Sequence, residues 1–124
     1  MNKRILVVDD EEALRELAVT CLEDLGVWAV ITAESGSEGL NKAEANNVDA
    51  ILLDVSMPVM DGFAVYETLK SNVMLQHIPI VLLTAKVLPS DRTRFAQMEI
   101  AGVITKPFDP MRLCVQLATL LGWD

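Results

Sequence analysis

The sequence predicts an α/β fold, a doubly wound parallel sheet with helices on both faces. Short continuous apolar runs, such as Ile5 to Val8 and Ile80 to Leu83, are typical of parallel strands buried on both sides. Helical and strand periods alternate five times along the chain without a long linker, which favours right-handed crossover connections. The length of 124 residues suits one domain covering residues 1–124.

The first half of the chain is predicted to form strand, helix, strand, helix and strand at residues 4–8, 12–25, 27–32, 35–45 and 50–54. Apolar residues recur at a spacing of three and four in the first helix, from Leu14 to Leu25, and Gly26 follows as a C-terminal cap would. The second helix has two candidate N-caps, Ser35 and Ser37. Each of these strands is therefore followed by a helix that can cover the sheet.

The second half is predicted to form helix, strand, helix, strand and helix at residues 63–70, 80–83, 89–98, 103–105 and from 110 onward. Pro79 stands at the start of its strand, a position where a proline is tolerated. The helix after it is the weakest, with Phe95 and Met98 as its inward residues. The last helix carries a clear apolar stripe that includes Leu113 and Leu117.

Polar residues follow the predicted strands at the points where the strands end. Asp9 and Asp10 follow the first strand, Asp54 ends the third, Thr84 ends the fourth and Lys106 follows the fifth. Ligands of open α/β sheets bind beyond the carboxyl ends of the strands. If these strands are neighbours, three carboxylates, a hydroxyl and an ammonium group converge there. Such a set is a magnesium and phosphoryl site in outline.

The charge and hydropathy of the chain exclude several classes of partner. A formal net charge of −8 argues against direct binding of nucleic acid, because phosphate backbones favour clustered Lys and Arg. No uncharged apolar stretch approaches the ~20 residues that a membrane span requires, and the N-terminus lacks the pattern of a secretory signal. A cytoplasmic protein that contacts neither nucleic acid nor membrane is expected.

Four motifs, each at its own strand end, resemble the receiver domains of bacterial two-component response regulators, the CheY-like family. They are Val7-Val8-Asp9-Asp10-Glu11, Leu53-Asp54-Val55-Ser56-Met57-Pro58 with Asp61-Gly62, Leu83-Thr84-Ala85, and Thr105-Lys106-Pro107-Phe108. The resemblance covers the whole chain. It implies the flavodoxin-like receiver fold, with five strands in the order 2-1-3-4-5 and five helices. It also implies a phosphorelay protein that accepts a phosphoryl group from a phosphohistidine partner.

The resemblance also implies roles for the residues of the site. Asp54 is the phosphoryl acceptor, and Lys106 and Thr84 stabilise the phosphoryl oxygens. Asp10 and Asp54 bind Mg²⁺, with Mn²⁺ as an alternative, and Asp9 binds it directly or through water. The backbone carbonyl of Ser56 completes the metal ligands, and the Lys106-Pro107 bond is cis in the family. A carboxylate needs such help because both it and the phosphoryl donor are negative.

Further positions are expected to control signalling and phosphoryl lifetime. In the family, a threonine and an aromatic residue move together, changing the face made by the fourth helix, fifth strand and fifth helix. The threonine is Thr84, but the aromatic position holds Val103, which has no ring to rotate. Ser56 and Lys86 occupy the positions that tune hydrolysis in relatives. Lys86 either covers the phosphoryl group or pairs with an acidic neighbour.

Each site residue also has an ordinary structural interpretation. The acidic run from Asp9 to Glu12 could complement the positive end of the first helix, and Asp54 could simply begin a turn. Thr84 could be a strand residue and Lys106 a solvated one. Two other functions stay open as well. One is a degenerate receiver that only binds proteins, and the other is a phosphohydrolase with an aspartyl nucleophile, which the short loops disfavour.

The expected partners are a histidine kinase or a histidine phosphotransfer protein, together with an unidentified downstream protein or output domain. A homodimer through the face of the fourth helix, fifth strand and fifth helix is a further expectation, by analogy with the family. The protein is expected to be a signalling phosphoacceptor that catalyses only its own phosphorylation and dephosphorylation. No output segment follows the last predicted helix, so the chain is expected to be either a stand-alone regulator or a receiver from a longer protein.

Overall fold

A computed structural model describes residues 3–26, 28–85 and 87–123 of the chain. The strands are β1 (Arg4–Val8), β2 (Ala29–Ala33), β3 (Ala50–Asp54), β4 (Ile80–Thr84) and β5 (Gly102–Thr105). The helices are α1 (Glu12–Gly26), α2 (Gly36–Ala45), α3 (Gly62–Lys70), α4 (Pro89–Ala96) and α5 (Leu113–Leu121). Across the described ranges, no helix is long and apolar enough to cross a bilayer.

All five strands form one parallel sheet in the order β2-β1-β3-β4-β5, which confirms the predicted fold. Successive side chains of a strand point to opposite faces of the sheet, and this divides the core into two clusters. Leu6 and Val8 of β1 pack into the cluster that also contains Val65 and Leu69 of α3. Ile5 and Val7 pack into the opposite cluster, which contains residues of α1 and α5. Burial on both faces explains why the strands are continuous apolar runs.

The observed bounds of the strands at the centre of the sheet agree with the predicted bounds better than those of the surrounding elements do. The bounds of β1 and β3 are those predicted, whereas β2 begins at Ala29 and part of its predicted range, Val27, lies outside the described residues. Helix α5 begins at Leu113 rather than 110, because Met111 N–H donates to Asp109 Oδ1 in a turn before it. Helix α4 ends at Ala96, two residues earlier than predicted.

The helix caps and the buried face of α1 refine the predicted amphipathic pattern. Ser35, and not Ser37, caps α2, because its side chain accepts a hydrogen bond from Glu38 N–H. In α1, Ala18 and Leu22 are fully buried, but Leu17 is 40% exposed. The buried face of α1 is therefore narrower than the apolar spacing predicts.

Candidate functional site

The parallel register brings the predicted polar residues to one edge of the sheet. Asp54 is paired with Leu83 and Thr84 with Thr105, so the ends of the three strands are nearly level. Asp9 follows β1, which lies directly beside β3, and Lys106 follows β5. The structure therefore places Asp9, Asp54, Thr84 and Lys106 where the sequence predicted.

Asp9, Asp10 and Asp54 form a compact carboxylate cluster. One oxygen from each lies within 4.8 Å of the others. Asp9 and Asp54 are 0% and 1% exposed, whereas Asp10 is exposed. Burying two neighbouring carboxylates is unfavourable unless a cation neutralises them. A positive charge beside the cluster therefore stabilises it.

Three backbone contacts fix Asp9. Its N–H donates to Ala33 O at 3.1 Å, and its Oδ1 accepts from Glu11 N–H at 2.9 Å. Arg15 Nη1 donates to the backbone carbonyl of Asp9 at 2.8 Å, while Arg15 Nη2 lies 3.7 Å from Glu34 Oε2. The first turn of α1 and the end of β2 therefore hold the carboxylate in place.

Asp54 is held on one side only. Its Oδ1 accepts from Ser56 N–H at 3.1 Å and lies 3.3 Å from Lys106 Nζ. Among the described residues, its buried Oδ2 has no hydrogen-bond partner. Burial, reinforced by the neighbouring charge of Asp9, raises the pKa of Asp54 to about 6, although the Ser56 N–H and Lys106 oppose this rise.

Lys106 lies at the centre of the negative charge. Its Nζ is 3.0 Å from Asp9 Oδ2, 3.1 Å from Glu11 Oε1 and 3.3 Å from Asp54 Oδ1. Burial alone would lower its pKa, but the contacts with Asp9 and Glu11 outweigh burial and raise the pKa above the usual range of lysine. The backbone N–H of Lys106 donates to Thr84 O at 2.7 Å. The Lys106-Pro107 bond is cis, as the family resemblance implied.

The carboxylate cluster fits a divalent cation. Its three side chains offer only oxygen ligands, the kind that Mg²⁺ prefers. Asp54 Oδ2 is buried without a hydrogen-bond partner in the described part of the chain, so an acceptor is available for a cation or a phosphoryl group. Asp10 is exposed and leaves that side of the cluster open to solvent. The donor set therefore supports a hard cation with retained water.

The remaining predicted positions surround the cluster. Ser56 and Thr84 line one cleft together with Phe95 of α4. Thr84 is 5% exposed. Val103 is partly buried and packs against the core cluster that contains Phe95. Lys86 lies outside the described residues.

Sequence reasoning gave no role to two contacts in this site. Glu11 belongs to the acidic run from Asp9 to Glu12, yet its contact with Lys106 joins residues 95 positions apart. Arg15 has no predicted role in the site. Its place in the first turn of α1, directly after β1, was a usable signal, because a long cationic side chain there can reach back to the end of the strand.

The chain matches a family model and is similar in sequence to curated proteins. The model of the response regulator receiver domain matches residues 5–118. The alkaline phosphatase synthesis transcriptional regulatory protein PhoP of Bacillus subtilis is 40% identical over 121 residues, which are 98% of this chain and 49% of PhoP. The response regulator PleD of Caulobacter vibrioides is 40% identical over 97% of this chain and 26% of PleD. The chain thus spans about half the length of PhoP, and less of PleD.

Solved structures share the fold. The chemotaxis protein CheY4 of Vibrio cholerae is 32% identical, with a TM-score of 0.89, over 97% of this chain and 99% of that chain. The N-terminal domain of a response regulator receiver protein from Methanoculleus marisnigri is 34% identical, with a TM-score of 0.78 and coverage of 98% of each chain. The likeness to CheY4 and to this domain therefore covers nearly the whole of each chain.

Proposed function

The chain belongs to the response regulator receiver domain family of two-component signalling, and from that premise we propose that Asp54 accepts a phosphoryl group from a phosphohistidine partner with the help of Mg²⁺. The observation that carries the proposal is the environment of the Asp54 carboxylate. Its carboxylate is 1% exposed, has one oxygen without a hydrogen-bond partner in the described ranges, and touches Lys106 through the other. A buried, cation-paired carboxylate with a free oxygen suits attack on a phosphoryl group.

The chemical step is a transfer between two nucleophiles. An oxygen of Asp54 forms a bond to phosphorus while the phosphorus–nitrogen bond of the donor breaks, and the electron pair of that bond returns to the imidazole nitrogen. The product is an acyl phosphate. Lys106 and Thr84 stabilise the charge on the phosphoryl oxygens, and the backbone amide of Ala85 is a further donor. The Val55 N–H is not available for this role, because it donates to Leu83 O at 3.1 Å.

The proposed metal ligands are Asp9, Asp10, Asp54 and the backbone carbonyl of Ser56. A bound Mg²⁺ supplies positive charge that offsets the repulsion between a carboxylate and an incoming phosphoryl group. Arg15 and Ala33 hold the backbone of Asp9 in place, so this ligand is preorganised before a cation arrives. Mn²⁺ suits the same oxygen ligands.

Receiver domains are typically signalling proteins rather than enzymes that turn over external substrates. We expect this chain to catalyse only its own phosphorylation and the hydrolysis of its acyl phosphate. Ser56 lines a cleft together with Val55 and Thr84, and Lys86 follows Thr84-Ala85 in the sequence. Both are proposed to tune phosphoryl lifetime.

The signal is proposed to pass from Thr84 to the face formed by α4, β5 and α5. The backbone N–H of Lys106 donates a hydrogen bond to Thr84 O. Val103 packs against the cluster that contains Phe95 of α4. Because Val103 has no aromatic ring, we expect the change to be carried by backbone and loop movement, or to be weaker than in relatives. The same face is the proposed site of a homodimer.

Receiver domains interact with histidine kinases and output domains. For this chain we propose a histidine kinase or a histidine phosphotransfer protein as donor, with a downstream protein or output domain as recipient. The acidic surface, with a net charge of −8, favours basic partner surfaces over nucleic acid. A cytoplasmic location is part of the same proposal.

The decisive experiment is phosphorylation by a small acyl-phosphate donor in Mg²⁺, followed by intact mass. We expect the gain of one phosphoryl group, which disappears in Asp54→Asn and in chelator. Multiple turnover of small phosphomonoesters would instead support the aspartyl phosphohydrolase. No gain under any condition would leave a degenerate, protein-binding receiver and overturn the proposal.

A further inference from the structure

Glu11 differs from the other two carboxylates that contact Lys106. Asp9 and Asp54 are buried and belong to the carboxylate cluster, whereas the side chain of Glu11 is 61% exposed. Its Oε1 nevertheless accepts a hydrogen bond from Lys106 Nζ at 3.1 Å. Lys106 therefore has two partners inside the cluster and one at its rim.

A divalent cation in the cluster would compete with Lys106 for the same carboxylates. Lys106 Nζ is 3.0 Å from Asp9 Oδ2 and 3.3 Å from Asp54 Oδ1. A cation held by Asp9, Asp10 and Asp54 repels the ammonium group at such short range. Glu11 is then the one contacting carboxylate that keeps its charge for Lys106.

We propose that Glu11 is a positioning residue that holds Lys106 at the rim of the site when a divalent cation occupies the carboxylate cluster. The inference rests on the metal site of the proposed function. Without Glu11, Lys106 keeps only the carboxylates that the cation needs, so cation binding must break those contacts with no replacement. With Glu11, the ammonium group keeps one carboxylate partner at the rim of the site, where it can meet an incoming phosphoryl group.

The test compares two single variants that each remove one negative charge. Glu11→Gln loses the contact with Lys106. Glu12→Gln is the matched control, because Glu12 is the next residue, is exposed, and within the described residues makes no ion pair with Lys106. Isothermal titration with Mg²⁺ should show about two- to fivefold weaker binding for Glu11→Gln than for Glu12→Gln, the effect of one partly exposed ion pair.

A double-variant cycle separates action through Lys106 from the general electrostatic field of Glu11. In a Lys106→Met background, Glu11→Gln and Glu12→Gln should weaken Mg²⁺ binding equally. Urea unfolding of each variant verifies that it is folded. Equal effects in the unmodified background, or a Glu11 effect that persists without Lys106, would overturn the inference. Absence of saturable Mg²⁺ binding by the unmodified protein would overturn the proposed function and the inference with it.

Discussion

At the residue scale, Val59 occupies a backbone conformation that its side chain disfavours. Its φ is +69°, in a tight turn where Met60 N–H donates to Pro58 O at 2.7 Å. A β-branched residue with positive φ is a steric outlier. The side chain is fully exposed to solvent, so no packing compensates for the strain. The loop that follows the acceptor strand therefore contains a local source of instability.

Replacing Val59 with Gly should raise the free energy of unfolding by about 1 kcal/mol. Relief of backbone strain, about 1–2 kcal/mol, exceeds the extra entropy that glycine gives the unfolded chain, about 0.5–1 kcal/mol. Urea unfolding should show a higher midpoint with an unchanged m-value. Val59→Thr keeps the β-branched strain and serves as control, so an equal gain in both variants would contradict the interpretation.

At the scale of elements, the start of α3 lies against the end of the acceptor strand. Gly62 N–H donates to Val55 O at 3.1 Å. A Cβ at Gly62 would lie 2.4 Å from Asp54 O and 2.6 Å from Val55 Cα, both backbone atoms that cannot move aside separately. Asp61 caps the helix through Ala64 N–H at 2.9 Å. The Asp61-Gly62 pair thus lets α3 approach the strand that carries Asp54.

Gly62→Ala should destabilise the protein by about 1–3 kcal/mol, the usual cost of forcing atoms into a packed site. The added Cβ should also displace the end of β3, and this displacement should lower the rate of phosphorylation at Asp54. Gly36→Ala is a matched control, because Gly36 also begins a helix but its Cβ would meet side-chain atoms of Met60 and Val65. Urea unfolding and intact-mass time courses measure both effects. Equal destabilisation of the two variants would show that contact with the acceptor strand is not special.

The sequence predicted the strands of this fold better than the helix ends. Strands buried on both faces are continuous apolar runs that stop where burial stops, so β1 and β3 have their predicted bounds. Helix ends depend on caps and turns, and a turn at Asp109 delays α5. The contact of Glu11 with Lys106 depends on tertiary placement across 95 residues, which no local pattern encodes.

At the scale of the whole molecule, the stability of the metal-free protein is linked to pH through Asp54. Its pKa rises from 3.8 to about 6 on folding, with burial as the largest cause. Between these values the folded protein binds the proton and the unfolded chain has released it. The contribution of Asp54 to stability is therefore most favourable below pH ~4 and falls as pH rises to ~6, by about 3 kcal/mol in all.

This linkage predicts different pH profiles for the unmodified protein and Asp54→Asn. Subtracting the free energies of unfolding, measured by urea in metal-free buffer, isolates the contribution of Asp54. The difference should change between pH ~4 and ~6 and level off above that range, since Asn has no proton to release. Glu44→Gln, at an exposed position of α2, is the control and should leave the profile unchanged. Mg²⁺ at pH 7 should stabilise the unmodified protein more than Asp54→Asn, because the variant lacks one of the carboxylates that bind the cation. A flat difference between the two profiles would show that burial does not perturb the acceptor.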